Sequence, residues 1–489
     1  MSQNMDNITN RQGISYYENG NKYYEGEWKD GKENGQGILY FKNGNIKYDG
    51  NWENGKPRGY GTMYNDNGTK IYEGELKDDK ANGQGISYFQ NGNKMYEGKW
   101  KDDIPNGYGT KYYSCGNKMY EGNFKDDKIN GYCIYYFQNG TKIYEGELKD
   151  DIRNGQGICF QNGTKRYEGG WIDNKLNGKG IMYYENGAKI YEGEFKCNKF
   201  DGQGIWYYQN RNKKYEGGWK DGKPNGQGIT YCVNGNKIHE GNYKDGNFDG
   251  HGICYYDGIN KMYEGEWKDG IRNGKGITYD EDGNKYYEGE FKDDKANGQG
   301  ITYFENGSKK YEGEFKCNKL DGQGISYYEN GNKCSEGEWK DGKKNGQGIS
   351  YWQNGNKMYE GEYKDNVKSG YGTTYYSFGN KRYEGKWKDD KKNGQGIFYY
   401  HNCTKYYSCG TYVKGFFKEG NLVEGAIFYK NGDSYDGSFR NNLFHGSGIY
   451  KLASGRSYKG EYENGHRVNC HERTSRRGIV TKKNFQELD

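Results

Sequence analysis

With 489 residues, 73 basic and 68 acidic side chains and a net charge of +5, the chain has no general electrostatic pull toward nucleic acid. Leu, Ile, Val and Phe make up only about 13 % of it, too little for the three or so globular cores that this length would otherwise imply. Near-balanced charge and 17 % aromatic residues also exclude a disordered chain, so 55 tyrosines and 83 glycines must do the packing.

The first eleven residues are a polar lead without an apolar signal region, and no later run is long and apolar enough to span a membrane. These features point to the cytoplasm, with a cytoskeletal or membrane-proximal association left open. Gly13, Ile14, Ser15, Tyr16 and Tyr17 form half a unit that ends in Asn19-Gly20. From Tyr24 the same pattern restarts at Tyr48, Tyr72, Tyr96, Tyr120 and Tyr144, every 24 residues. A shorter step reaches Tyr167, and the pattern continues through His239, Tyr263 and Ser335 to Tyr383. A fixed period of this size marks a repeat array.

Each unit reads as two strands. Tyr24 to Lys29 alternates Tyr, Gly and Trp with charged residues, and a second strand runs from Gly37 to Phe41. A loop holding Asp30-Gly31 and Asn34-Gly35 separates them, and Asn43-Gly44 is expected as a two-residue type I′ hairpin link. That link would place Tyr17 opposite Lys22, Ser15 opposite Tyr24 and Gly13 opposite Gly26. One face then carries Tyr24, Gly26 and Trp28, with rings lying over bare glycine; the other carries Glu25, Glu27 and Lys29 beside Ile14. The expected architecture is all-β: an elongated antiparallel β-hairpin meander, a twisted single-sheet rod. About 19 units of roughly 9.6 Å would make it on the order of 180 Å long before twist shortens it.

Three places depart from the rule. One residue is missing between Ile158 and Asn162, so Ile158 would change face unless the strand bulges. At Asn402-Cys403 the Asn-Gly turn is lost, and residues 413–424, with Phe416 and Phe417, read as a longer loop. Two units of 23 residues follow, at Tyr435 and Tyr458. The chain thus divides into a lead (1–11), a regular array (12–401), irregular C-terminal repeats or cap (402–465) and a basic tail (466–489) containing Arg473, Arg476 and Arg477.

Chemistry-bearing residues have bland explanations. Carboxylate pairs such as Glu25 and Glu27 recur in many units, whereas an acid/base pair needs one special environment. The histidines are scattered, Cys470-His471 near His466 lacks the paired spacing of a metal site, and Asp280 to Gly283 reads as a turn. Eleven irregularly placed cysteines do not form a disulfide framework, and no glycine motif suits a dinucleotide or a phosphate. Neither catalytic residues, cofactor, metal nor small-molecule substrate is expected.

The unit Tyr263-x-Gly265-x-Trp267-x-x-Gly270-x-x-x-Gly274-x-Gly276 resembles the MORN (membrane occupation and recognition nexus) repeat, and the resemblance extends over residues 13–465. It implies β-hairpin arrays that act as non-enzymatic scaffolds in protein interaction, self-association, or cytoskeletal or membrane-proximal organisation. Since the units from Tyr24 to Tyr383 are so alike, a distinctive partner site is expected at the C-terminal end. Its candidates are Phe416, Phe417, Tyr435, Phe439, Phe444, Tyr458, Arg473, Arg476 and Arg477. A peripheral module for anionic phospholipid is the alternative.

Overall fold

A computed structural model describes residues 11–401 and 410–468. Every regular element among them is a β-strand, 39 in all, and short turns join chain neighbours except from Tyr399 to Tyr412, where most of the connection lies outside the described residues. The chain divides into two compact units, Met1–Asn247 and Phe248–Asp489. In the first, strands from Arg11–Tyr16 through Lys237–Lys244 pair antiparallel in sequence order. In the second, strands from Asn260–Lys268 through His466–Val468 do the same. Neither unit closes into a barrel, so the expected antiparallel repeat meander is the observed fold.

The repeating hairpin is clearest at strands Asn260–Lys268 and Ile271–Tyr279. Only Asp269 and Gly270 turn the chain, with φ of 51° and 86°, the positive pair that a type I′ turn demands. The loop is therefore shorter than the sequence suggested, because Asn273-Gly274 belongs to the second strand. Gly265 faces Gly276 and Trp267 faces Arg272, so Asn273, Gly274 and Lys275 bulge opposite the single residue Glu266. Gly274, at φ 108°, supplies the backbone conformation for that bulge.

Outside the shortened unit, the described Asn-Gly links are not type I′ turns. Tyr17 N–H donates to the Asn21 carbonyl at 2.8 Å and Gly20 N–H to the Tyr17 carbonyl at 3.0 Å, and Gly20 alone carries a positive φ of 80°. This is a three-residue loop: a type I turn closed by a left-handed glycine. Tyr16 consequently faces Lys22, yet Ser15 still faces Tyr24 and Gly13 still faces Gly26, because Tyr23 is squeezed out as a bulge. The longer loop and the extra strand residue cancel, and the face assignment survives. The shortened unit uses the same freedom. Asn162-Gly163 becomes a two-residue turn with φ of 53° and 76°, and Ile158 keeps its place opposite Glu168.

Two further expectations are corrected near the C-terminus. Tyr412–Lys418 and Asn421–Phe428 form a regular hairpin around Glu419-Gly420 and not a long loop, with Val413 in the tyrosine position. Strand His466–Val468 extends pairing into the stretch assigned to the tail. The lost turn at Asn402-Cys403 lies outside the described residues.

The core is a thin aromatic layer on one face. Tyr263 is completely buried, meeting Trp267 edge-on at 5.1 Å and Phe291 of the next repeat at 5.3 Å. Tyr24 stands likewise between Trp28 and Trp52. Such edge-to-face pairs add about 0.5–1.5 kcal/mol each beyond burial. The floor beneath must be glycine, because a Cβ on Gly265 would run into the Gly276 backbone and lie 2.6 Å from the Tyr263 hydroxyl. Gly265→Val is therefore expected to cost about 3 kcal/mol, the upper end for overpacking, with damage confined to adjoining repeats. Hydrogen exchange checks this: protection should fall around residues 250–290 and hold at residues 24–100.

Candidate functional site

On the aromatic face each tyrosine also has a polar task. Glu266 has no partner in the register across the bulge, and the Tyr263 hydroxyl donates to its carbonyl at 3.0 Å. The same bond, from tyrosine to the carbonyl three residues on, recurs at Tyr24, Tyr48, Tyr72, Tyr191, Tyr215, Tyr287 and Tyr435. Burial pushes the Tyr263 hydroxyl well above the usual phenol pKa, so it stays a donor. Trp267 N–H meanwhile donates to the Gly252 carbonyl at 3.3 Å. Tyr263, Gly265, Trp267, Gly274 and Gly276 are thus the frame of the repeat.

A second column on this face was hidden in the sequence, because its residues sat in the stretch read as loop. Nine residues after each tyrosine position, a side chain packs beside the rings, and its identity varies: Pro57, Ala81, Ile129, Phe200, Leu320. Arg153 lies 4.8 Å from the Tyr144 ring and 4.9 Å from Trp171. Three successive repeats then carry Lys344, Lys368 and Lys392. Lys392 stands over Phe398 at 4.5 Å, Phe417 at 5.1 Å and Tyr383 at 5.8 Å. Its burial there brings the ammonium pKa down to about 8.

The opposite face is charged and paired. Lys261 Nζ lies 2.8 Å from Glu264 Oε2, and the Tyr279 hydroxyl donates to the same carboxylate at 3.3 Å. The lysine hydrogen bond holds Glu264 below the ordinary carboxylate range, as Lys22 does Glu25. A carboxylate so fixed is a structural anion. Glu266, Glu290, Glu314 and Glu338 stack in successive repeats over Gly274, Gly298, Gly322 and Gly346. Beside them runs a shallow trough of about 680 Å³ lined by Gln299, Glu312, Ile325, Gln347 and Glu360. The first unit has a trough of about 780 Å³ lined by Gln156, Ile181, Glu192 and Glu216.

The C-terminal candidates separate into core and surface. Phe417, Tyr435, Phe439 and Phe444 are buried together, with Tyr435 and Phe444 stacked at 3.8 Å, so these four side chains hold the last repeats together. Phe416 is 41 % exposed. Tyr458 is half-buried, with the Arg467 guanidinium 5.9 Å from its ring centroid. Arg473, Arg476 and Arg477 lie outside the described residues, as does Cys470-His471. Among the described residues no group of three His, Cys, Asp or Glu side chains could hold a metal. Asp280 accepts the Asn284 N–H at 2.8 Å inside a three-residue loop, so that acidic stretch is a turn.

A family model described as MORN repeat matches seventeen stretches, running almost without a gap from 24–46 to 383–402 and again at 435–455. No curated protein matches the chain. Among solved structures, a chain of the Photorhabdus luminescens Tc holotoxin pore is matched at 10 % identity, over 91 % of this chain and 24 % of that one. Its TM-score is 0.14, and the likeness carries no argument.

The lysine column gives a pH-dependent prediction. Lys392 has a folded pKa of about 8 against 10.5 for the free side chain, so the folded state binds its proton more weakly than the unfolded state. Its unfavourable contribution is full below pH 8, fades as pH rises from 8 to 10.5, and is gone above. Lys392→Met should therefore stabilise the adjoining repeats at pH 7, and the gap to wild type should close across that window. Urea denaturation of both proteins from pH 7 to 10.5 measures it; a gap independent of pH contradicts the assignment.

Proposed function

The chain belongs to the MORN repeat family, and from that premise we propose that it is a scaffold that docks a protein partner, or a second copy of itself, through its C-terminal repeats. MORN repeats mediate contacts with proteins or membranes, not catalysis. The observation that carries the reading is the outer edge of strand Ser457–Glu463. His466–Val468 pairs only with Glu461, Tyr462 and Glu463. Among the described residues, no strand pairs with that edge from Ser457 to Gly460, where the Arg467 guanidinium donates to the Lys459 carbonyl at 2.7 Å. An open strand edge offers backbone donors and acceptors to another chain, which can add a strand there. Exposed Phe416, Ile449 and Val468 lie in the same C-terminal repeats. The regular repeats before them differ too little for one to present a unique surface.

A second reading is favoured by one feature of the turn edge. Lysines face each other directly at Lys77 and Lys80, Lys125 and Lys128, and Lys292 and Lys295. Like charges in directly opposed pairs are destabilising, and a layer of anionic phospholipid headgroups would relieve them. No helix among the described residues is long and apolar enough to cross a membrane, so any such contact would be peripheral unless strands insert.

Truncation after Lys392 is expected to abolish self-association or partner capture in light scattering and pull-down, while leaving β content per residue unchanged. A truncated protein that associates like full length would move the function to the repeated faces. Sedimentation with phosphatidylserine vesicles at low and high salt decides the second reading, which requires salt-sensitive binding that survives the truncation.

A further inference from the structure

The repeat that begins at Ser335 lacks its tyrosine, yet what a tyrosine would touch is still in place. Gly337 and Gly348 face each other in register as Gly265 and Gly276 do. Trp339 and Tyr363 hold the two positions that, around Tyr263, belong to the flanking rings Trp267 and Phe291. Glu338 sits in the bulge without a partner in register, as Glu266 does, but no tyrosine hydroxyl meets its carbonyl. A Cβ on Gly276 would strike the Tyr263 ring, whereas the nearest ring atoms to one on Gly348 belong to Tyr363, at 3.4 Å.

Serines and one lysine share the space. Ser335 Oγ lies 2.8 Å from Ser326 Oγ, and Ser350 Oγ lies 2.7 Å from the Tyr363 hydroxyl. Lys344 Nζ donates to Ser350 Oγ at 2.9 Å and stands 5.0 Å from the Tyr363 ring centroid. Ser335 and Ser350 are each only 1 % exposed, so the slot is shut in this state. Its cover is a flexible stem whose charged head gains hydration when it swings outward.

We propose that this slot binds a small para-alkyl phenol. The ring would lie over Gly337 and Gly348 between Trp339 and Tyr363, its hydroxyl would donate to the Glu338 carbonyl, and Lys344 would move aside. The occupant follows from the chain itself, because Tyr311 and Tyr359 in the repeats on either side place a phenol in this same setting and donate to the equivalent carbonyls at 3.3 and 2.9 Å. An aliphatic hydrocarbon has no proton to donate to the Glu338 carbonyl, and an anion would meet that carbonyl with repulsion.

Ligand-observed NMR titration of the full-length protein with p-cresol tests the assignment. Wild type should bind saturably, Ser335→Tyr should lose binding because its own ring fills the slot, and Lys344→Ala should bind several-fold more tightly. Toluene, which cannot donate to the carbonyl, should bind roughly three- to tenfold more weakly than p-cresol. The proposal is overturned if neither wild type nor Lys344→Ala binds p-cresol saturably, if folded Ser335→Tyr binds it undiminished, or if toluene binds equally well.

Discussion

The structure depends on one hydrogen bond that recurs in most repeats, from a buried tyrosine hydroxyl to the main-chain carbonyl three residues later. The bulge in the second strand of each hairpin deprives that carbonyl of a regular partner, and a bare carbonyl under an aromatic layer is costly. Tyrosine meets both demands at once: its ring covers the glycines and its hydroxyl reaches the carbonyl. This explains why the column is tyrosine and not phenylalanine, although Phe serves freely four residues on, as at Phe291 and Phe315. It also explains the glycines, since a side chain at either position would lift the ring off the strand.

A natural variant inside the chain supports this reading. In the repeat that begins at Tyr120, Cys133 stands where the second glycine belongs, and it is completely buried. Tyr120 no longer lies over the strand and instead stacks face to face on Tyr135, at 4.3 Å and 9°. One added side chain changes the ring geometry while the backbone register of Gly122 opposite Cys133 persists. The ladder holds the repeat in place, and the glycine floor decides what the tyrosine can do. With the frame so fixed, variation is confined to a few columns, notably the one nine residues after the tyrosine, where Pro57, Phe200, Arg272 and Lys392 occupy equivalent places.

Much of this was legible in the sequence because the glycine and tyrosine columns are direct images of the packing. The pairing of Gly13 with Gly26, derived from an assumed two-residue link, holds only because the three-residue loop and the bulged Tyr23 cancel. The turns were not legible, because Asn-Gly suits both a two-residue type I′ turn and a type I turn closed by glycine, and an extra residue such as Tyr23 conceals the difference. The hairpin at Tyr412–Phe428 escaped notice because Val413 replaces the tyrosine on which the period was counted. The variable column was missed because Asn273-Gly274 looks like a loop, whereas it is a bulge within a strand. The C-terminal aromatics were legible as unusual, but sequence does not distinguish a residue that fills the core, such as Phe444, from one that faces solvent, such as Phe416.

The most direct test of the account is native-state hydrogen exchange on Tyr263→Phe, with Tyr120→Phe as its control. Removing the Tyr263 hydroxyl leaves the Glu266 carbonyl bare, at a cost of about 1–3 kcal/mol. That corresponds to roughly five- to 150-fold faster exchange in strands Asn260–Lys268 and Ile271–Tyr279. Tyr120→Phe should change exchange in its own repeat far less, because its ring is already displaced by Cys133. Equal effects at the two sites, or none at Tyr263, would contradict the claim that the hydroxyl–carbonyl bond holds the repeat together.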